Sequence, residues 1–230
     1  MKTFPYALYL IVLAITTGCT DNKKTEERIW TAMGTYASVA TAGDEIIKLN
    51  TYAEITTKTM EEMEARLSIF RSSSEINRIN MNAGKGTVPI SKETMDLLHL
   101  CQYYSEMSGG RFDVTIAPLM RLWGFIDKKT PTKEPSSDEI KHVLQNQIGW
   151  RNLFLTEDSA CLLKTNMMID LGGIAKGFAV DVCFHKLQSV GASNIMINLG
   201  GNLRCAGFTK NNQPWKIGVR NPFEKEKIIG

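Results

Sequence analysis

Apolar positions recur along the chain with a spacing that changes from segment to segment, and that spacing predicts the elements. Over residues 50–70 they fall at Ile55, Met63, Leu67 and Phe70 with acidic residues between them, a helical rhythm. Ser72, Ser73 and Ser74 interrupt it, and residues 75–79 add a short further turn of helix. Ser91 is an N-cap for a second helix carrying Met95, Leu98 and Cys101 on one face, and Gly109-Gly110 ends it. Ser136 and Glu139 have capping-box spacing and open a short helix through Leu144. The last predicted helix covers residues 174–190. Short apolar runs read as strands at 29–39 (interrupted near Gly34), 153–156, 161–163, 167–170, 195–199, 203–207 and 215–220. Residues 128–135 are polar with two prolines, a surface loop rather than a linker. Without repeats or low-complexity tracts, the chain reads as α+β in one domain.

The first residues follow another pattern. Lys2 precedes an uncharged apolar stretch over residues 6–15, and Thr16-Thr17-Gly18 supplies small residues before Cys19. This is the layout of a secretory signal, with a stretch too short to span a bilayer. A cysteine directly after small residues also resembles a bacterial lipobox, although Thr16 stands where Leu is usual. Residues 1–18 are therefore expected to be a signal peptide, and Cys19 a lipidated N-terminus. Residues 19–28 would be a polar tether, and residues 29–230 the domain.

Composition narrows the class. The chain of 230 residues is 43% hydrophobic and 22% charged, with net charge +3. That excludes a disordered or collagen-like chain, and without a basic stripe it excludes a nucleic-acid partner. After Cys19, the four cysteines Cys101, Cys161, Cys183 and Cys205 show no CxxC spacing and sit among apolar neighbours, as buried small hydrophobes do. Disulfides are open to an exported chain, but sequence assigns none.

Three glycine-rich turns carry the candidate chemistry. At Asp170-Leu171-Gly172-Gly173, an apolar run ends in an acid and two glycines lead into a helix. Such a turn admits a ligand close to backbone and points free N–H groups at anions. Asp170 can accept hydrogen bonds from a ribose or base, and Lys176 can neutralise phosphate. The spacing is not GxGxxG, and an ordinary strand-to-helix turn has the same residues. At Gly109-Gly110-Arg111-Phe112-Asp113, followed by Trp123-Gly124-Phe125, glycine, aromatic and acid suit a ring-shaped ligand. Equally, Phe112, Leu119, Trp123 and Phe125 are expected in core packing. The third turn, Asn198-Leu199-Gly200-Gly201-Asn202, reads as a hairpin turn or as a backbone cradle for phosphate.

Taken in order, Met33-Gly34-Thr35, Leu67-Ser68-Ile69-Phe70 with Ser74-Glu75-Ile76, residues 109–119 with 123–125, residues 170–181, the turn 198–202 and Pro214-Trp215 resemble the FAD:protein FMN transferases of the ApbE family. The resemblance covers residue 30 to the end. It implies a single ApbE-like, T-fold-related domain with a mixed β-sheet and packed helices. It also implies transfer of FMN from FAD to a Thr or Ser hydroxyl of an acceptor flavoprotein, with release of AMP and a requirement for Mg²⁺. Met33, Phe70, Arg111, Phe112, Asp113, Asp170 and Lys176 would contact FAD. Phe70 stands where relatives often have Tyr, and the carbonyl of Gly173 would be one metal ligand.

Relatives continue with a His-containing segment and an Asp…Thr segment that supply a candidate base and side-chain metal ligands. Neither occurs up to Gly230, so the chain is expected to be a fragment, with the base beyond Gly230. His99, His142 and His185 match no family motif and are expected on helices as surface or packing residues. The resemblance further implies an acceptor in a membrane electron-transport complex and a lipoprotein on the periplasmic face of a bacterial membrane, the inner membrane favoured. A Mg²⁺-dependent FAD pyrophosphatase and a non-catalytic FAD-binding lipoprotein are the alternatives.

Overall fold

A computed structural model describes residues 25–126, 134–209, 212–224 and 226–229. The segment expected to hold the signal and Cys19 lies outside the described residues, as does most of the 128–135 loop. Strands β1 (Thr25–Ala32) and β2 (Thr35–Ala42) form a hairpin in register from Thr25↔Ala42 to Ala32↔Thr35. Met33 and Gly34 alone make its turn, both at positive φ (48° and 74°), a type I′ geometry whose twist matches that of the strands. Thr25 to Arg28, expected in the tether, thus extend β1, where the Arg28 Nε also donates to Asn50 Oδ1 at 3.1 Å.

β2 also pairs with β6 (Ile195–Leu199), which pairs with β7 (Asn202–Ala206), giving an antiparallel sheet ordered β1-β2-β6-β7. In β6, Ile195, Ile197 and Leu199 alternate inward and are fully buried. They share one core with α1 (Leu49–Leu67) and α6 (Ala175–Ser189), through Tyr52, Met60 and Met63 from the first helix and Cys183, Phe184 and Leu187 from the second. Each such side chain contributes roughly 1.5–3 kcal/mol by leaving water. A smaller antiparallel sheet, ordered β3-β5-β4, is made by Val88–Pro89, Ser159–Leu162 and Leu153–Leu155.

The helix signals hold locally. α2 spans Glu75–Met81 and α3 Lys92–Met107, and Ser91 caps α3 by accepting from Thr94 N–H. Its end is a Schellman motif: Gly109 N–H donates to the Glu106 carbonyl and Gly110 N–H to the Ser105 carbonyl. α4 covers Ala117–Leu122, and α5 (Ser137–Asn146) opens on the capping box of Ser136 and Glu139.

Several expectations fail. Both named sheets are antiparallel rather than mixed, and among the described residues the parallel pairing is an isolated bridge between Ile116 and Met168. Residues 167–170 form no strand, because their backbone bonds instead to a side chain (Asn80) and to the Val114 carbonyl. Residues 215–220 form none either: among the described residues their one β-pairing is the bridge Arg220↔Ile228, and Ile217 and Val219 are exposed. Phe125 is no core residue, being 70% exposed, and Leu119 and Trp123 are only half-buried, whereas Phe112, also half-buried, does pack against the core. Cys101, Cys161 and Cys183 are buried free thiols and Cys205 is half-buried. Burial pushes the Cys101 and Cys183 thiols up to about 12, so they behave as apolar side chains. His99, His142 and His185 lie exposed on helices.

Candidate functional site

Four pieces of chain converge on one cleft of about 370 Å³: the β1–β2 turn, the end of α1 with the turn after it, the segment 170–172, and the first turn of α6. Its apolar lining comes from Met33, Leu67, Ile69, Phe70 and Leu171, and its ionic lining from Glu64, Arg71, Asp170 and Lys176. Of the seven residues singled out for FAD, the fold thus brings Met33, Phe70, Asp170 and Lys176 together. The volume falls within the range of small-molecule sites, and the mixture of apolar wall and few charges is theirs as well.

The walls are held by specific bonds. Met33 is a non-glycine residue in the left-handed region, where L side chains are strained by about 1–2 kcal/mol. Its N–H donates to Glu64 Oε2 at 3.2 Å, while Glu64 Oε1 lies 3.4 Å from Arg71 Nη2. One carboxylate on α1 therefore ties the hairpin tip to the turn that follows α1. Phe70 is 69% exposed at the rim, its N–H bonded to the Ser68 hydroxyl at 3.2 Å.

On the facing wall, Asp170 Oδ1 accepts from Gly172 N–H at 2.8 Å and shapes the turn. A Cβ at Gly172 would meet that oxygen at 2.9 Å, so the carboxylate keeps its place only beside a glycine. Ile174, the N-cap of α6, makes no side-chain cap, and the N–H of Ala175 in the first turn donates to the Leu171 carbonyl at 2.8 Å instead. Lys176 Nζ reaches the Gly172 carbonyl at 3.4 Å. A helix start bearing a lysine, with Arg71 lining the same cleft, suits phosphate.

Arg111, Phe112 and Asp113 stand elsewhere. Phe112 lines a second, shallower depression with Tyr104, Met107, Gly173 and Ile174, on the far side of the glycine turn. Its ring lies edge-on to Tyr104, with centroids 6.5 Å apart. Arg111 is exposed, its Nη1 3.4 Å from the Ser108 carbonyl. Asp113 lines neither hollow: Oδ1 accepts from the N–H and hydroxyl of Thr115 (2.8 and 2.6 Å), and Oδ2 from Trp150 N–H (2.9 Å). Its carboxylate braces the chain on which Phe112 is presented.

No group of three or more His, Cys, Asp or Glu among the described residues is arranged for a metal ion. Gly173 is exposed, and none of the described N–H groups donates to its carbonyl. That oxygen fits as a single hard donor to an ion such as Mg²⁺, which commonly completes its shell with phosphate oxygens and water.

Comparison with known proteins turns this geometry into a family. The ApbE family model matches residues 33–230. The chain belongs to the ApbE family. Among its relatives, an FAD:protein FMN transferase of Haemophilus influenzae is 32% identical over 177 residues, covering 72% of this chain and 51% of that protein. One of Vibrio cholerae is 29% identical over 172 residues, covering 75% and 51%. The chain spans about half the length of the curated relatives it matches. Among solved structures, the flavin transferase ApbE from Vibrio cholerae superimposes with a TM-score of 0.80 at 26% identity, covering 87% of this chain and 65% of that one. The ApbE protein of Thermotoga maritima gives 0.78 at 28% identity, covering 90% and 66%.

Within this ApbE domain, sequence reasoning missed Glu64 and Arg71. Glu64 is one acid in the run Glu61-Glu62-Met63-Glu64, and nothing in the run marks which carboxylate turns into the cleft. Arg71 follows Phe70 directly and could have been noticed as the basic neighbour of a candidate site residue.

Proposed function

We propose that the full-length protein is an FAD:protein FMN transferase. The Thr or Ser hydroxyl oxygen of an acceptor flavoprotein attacks the phosphorus on the FMN side of FAD. The P–O bond to the AMP phosphate breaks, AMP leaves, and the hydroxyl proton passes to a base. The observation that supports this most is the single cleft in which Met33, Phe70, Asp170 and Lys176 meet at the start of α6. In it, Met33 and Phe70 offer apolar contact to a ring, and Asp170 accepts from ribose or base hydroxyl and amino groups. Lys176 and Arg71 bring positive charge to the pyrophosphate. Mg²⁺, held in part by the Gly173 carbonyl, would neutralise charge on the phosphoryl group as it is displaced.

The same reading places the mature protein at the periplasmic face of a bacterial membrane, with Cys19 lipidated and the acceptor in an electron-transport complex. In this reading the protein is attached through lipid on Cys19; no described helix is long and apolar enough to cross a membrane. Mass spectrometry of the mature N-terminus checks it: a diacylglyceryl-modified Cys19 is expected, and an unmodified Cys19 contradicts it. The reaction is checked by incubating the full-length protein with FAD, Mg²⁺ and a candidate acceptor, following acceptor-bound flavin fluorescence in a gel together with AMP. Both products are expected. AMP with no labelled acceptor identifies a pyrophosphatase instead, and neither product identifies a flavin carrier.

A further inference from the structure

The segment that carries Asp170 is held in an unusual way. Asn80, on α2, is 9% exposed and applies both ends of its amide to a single residue 89 positions further along. Its Nδ2 donates to the Ile169 carbonyl at 2.9 Å, and Ile169 N–H donates to its Oδ1 at 2.7 Å. The next N–H, that of Asp170, donates to the Val114 carbonyl at 2.9 Å. Three consecutive polar groups of the backbone entering Asp170 are therefore fixed from outside the segment. One side-chain amide does here what a neighbouring strand would do elsewhere, but at one residue only, so the register cannot slip.

We infer that Asn80 is a positioning residue for the nucleotide cleft: through Ile169 it sets where the Asp170 carboxylate and the glycine turn point. This rests on the reading of that cleft as the FAD site. The chemistry demanded at position 80 is narrow, because the residue must donate and accept at once with a short stem. Asp lacks the donor and would face a carbonyl with a carboxylate. Gln carries its amide one methylene further out, and an apolar residue leaves two buried backbone groups unpaired. Asn80 is not among the residues that line the FAD-side cleft, so its effect there runs through Ile169.

The test is a double-mutant cycle on the full-length protein, with FAD affinity as readout and unfolding measured alongside. Asn80→Ala is expected to raise the FAD Kd about tenfold, the factor equivalent to about 1.4 kcal/mol of lost hydrogen bonding. In an Asp170→Ala background it should change the Kd less than about twofold, because the residue it positions is gone. Loss of stability should be equal in both backgrounds. Amide exchange at Ile169 and Asp170 should speed up, with the β1–β2 hairpin unaffected. Should Asn80→Ala not fold, Asn80→Ser, which keeps a small polar group, enters the same cycle. Equal factors in both backgrounds, or an unchanged Kd, overturn the inference. Wild-type protein that binds no FAD overturns the flavin reading and this inference together, whereas binding weakened by Asp170→Ala with additive losses overturns this inference alone.

Discussion

Two hairpin turns of the same geometry lie side by side at one end of the larger sheet, and they are built from different residues. Both are two-residue turns with positive φ throughout: Met33-Gly34 between β1 and β2, and Gly200-Gly201 between β6 and β7. At Gly200 the fold permits nothing larger than glycine, because a Cβ would stand 2.7 Å from Thr35 Cγ2 and 2.8 Å from its hydroxyl. Gly200 N–H also bonds to the Tyr36 carbonyl at 2.8 Å, joining the two turns. At position 33 the same backbone carries a methionine, under strain and tied down by Glu64. A turn made for stability alone would have Asn or Gly there. The difference separates a turn that serves the sheet from one that presents a side chain to the cleft.

Exchanging these properties should break the comparison in opposite ways. The largest effect is expected for Gly200→Ala, where a strained φ and a clash with the branched Thr35 add up to about 3 kcal/mol. It should appear as a lower unfolding midpoint, with the FAD affinity of the remaining folded protein intact. Met33→Asn should do the reverse. Relief of strain offsets lost packing, so stability moves by less than about 1 kcal/mol, while the FAD Kd rises about tenfold. Unfolding and FAD titration of the two variants together decide the matter. A Met33→Asn protein with wild-type affinity would make position 33 as purely structural as position 200.

A smaller effect sharpens the stability side. Glu45, in the short 3-10 turn between β2 and α1, ties that turn to the residues entering β6 by accepting from the Ser193 hydroxyl and N–H, Asn194 N–H and the Tyr52 hydroxyl. Burial raises its pKa, but the bonds from Ser193, Asn194 and Tyr52 outweigh burial and hold it below the ordinary value. The same contact, after burial itself, pushes the Tyr52 hydroxyl up to about 12. With a depressed folded pKa, the unfolded chain takes up the proton first. The stability due to Glu45 is thus present above the ordinary glutamate pKa and lost as pH falls through the folded one. Unfolding of wild type and Glu45→Gln across acidic pH should show the gap between them closing as pH drops. The FAD cleft should be indifferent to the substitution.

How much of this was legible in the sequence depends on the distance over which each feature is determined. Caps at Ser91 and Ser136 and the ends of α3 and α6 are set by residues within one turn and are readable, whereas α1, expected to run to Phe70, ends at Leu67 with Ser68 already extended. The Gly200-Gly201 turn is a hairpin turn, one of its two readings, and what holds position 200 to glycine is Thr35, which lies far away in sequence and was not readable. Residues 167–170 have the composition of a strand, yet a strand requires a partner, and here Asn80 satisfies the backbone in its place. Asp113 was grouped with Phe112 by adjacency, whereas its carboxylate turns inward to Thr115 and Trp150. Met33, Phe70, Asp170 and Lys176 were identifiable as a set through family resemblance alone, since no spacing along the chain foretells that these four positions meet.

The most direct test of the central claim, that this cleft holds the flavin nucleotide, is FAD affinity in two acid-to-alanine variants of the full-length protein. Asp170 lines the cleft, whereas Glu157 is exposed in the turn between β4 and β5, away from it. Asp170→Ala should weaken FAD binding tenfold or more, on the order of the loss of hydrogen bonds to a charged group, with its unfolding midpoint near that of wild type. Glu157→Ala should bind as wild type does. Equal affinity in the two variants would contradict the placement of the nucleotide at the glycine turn.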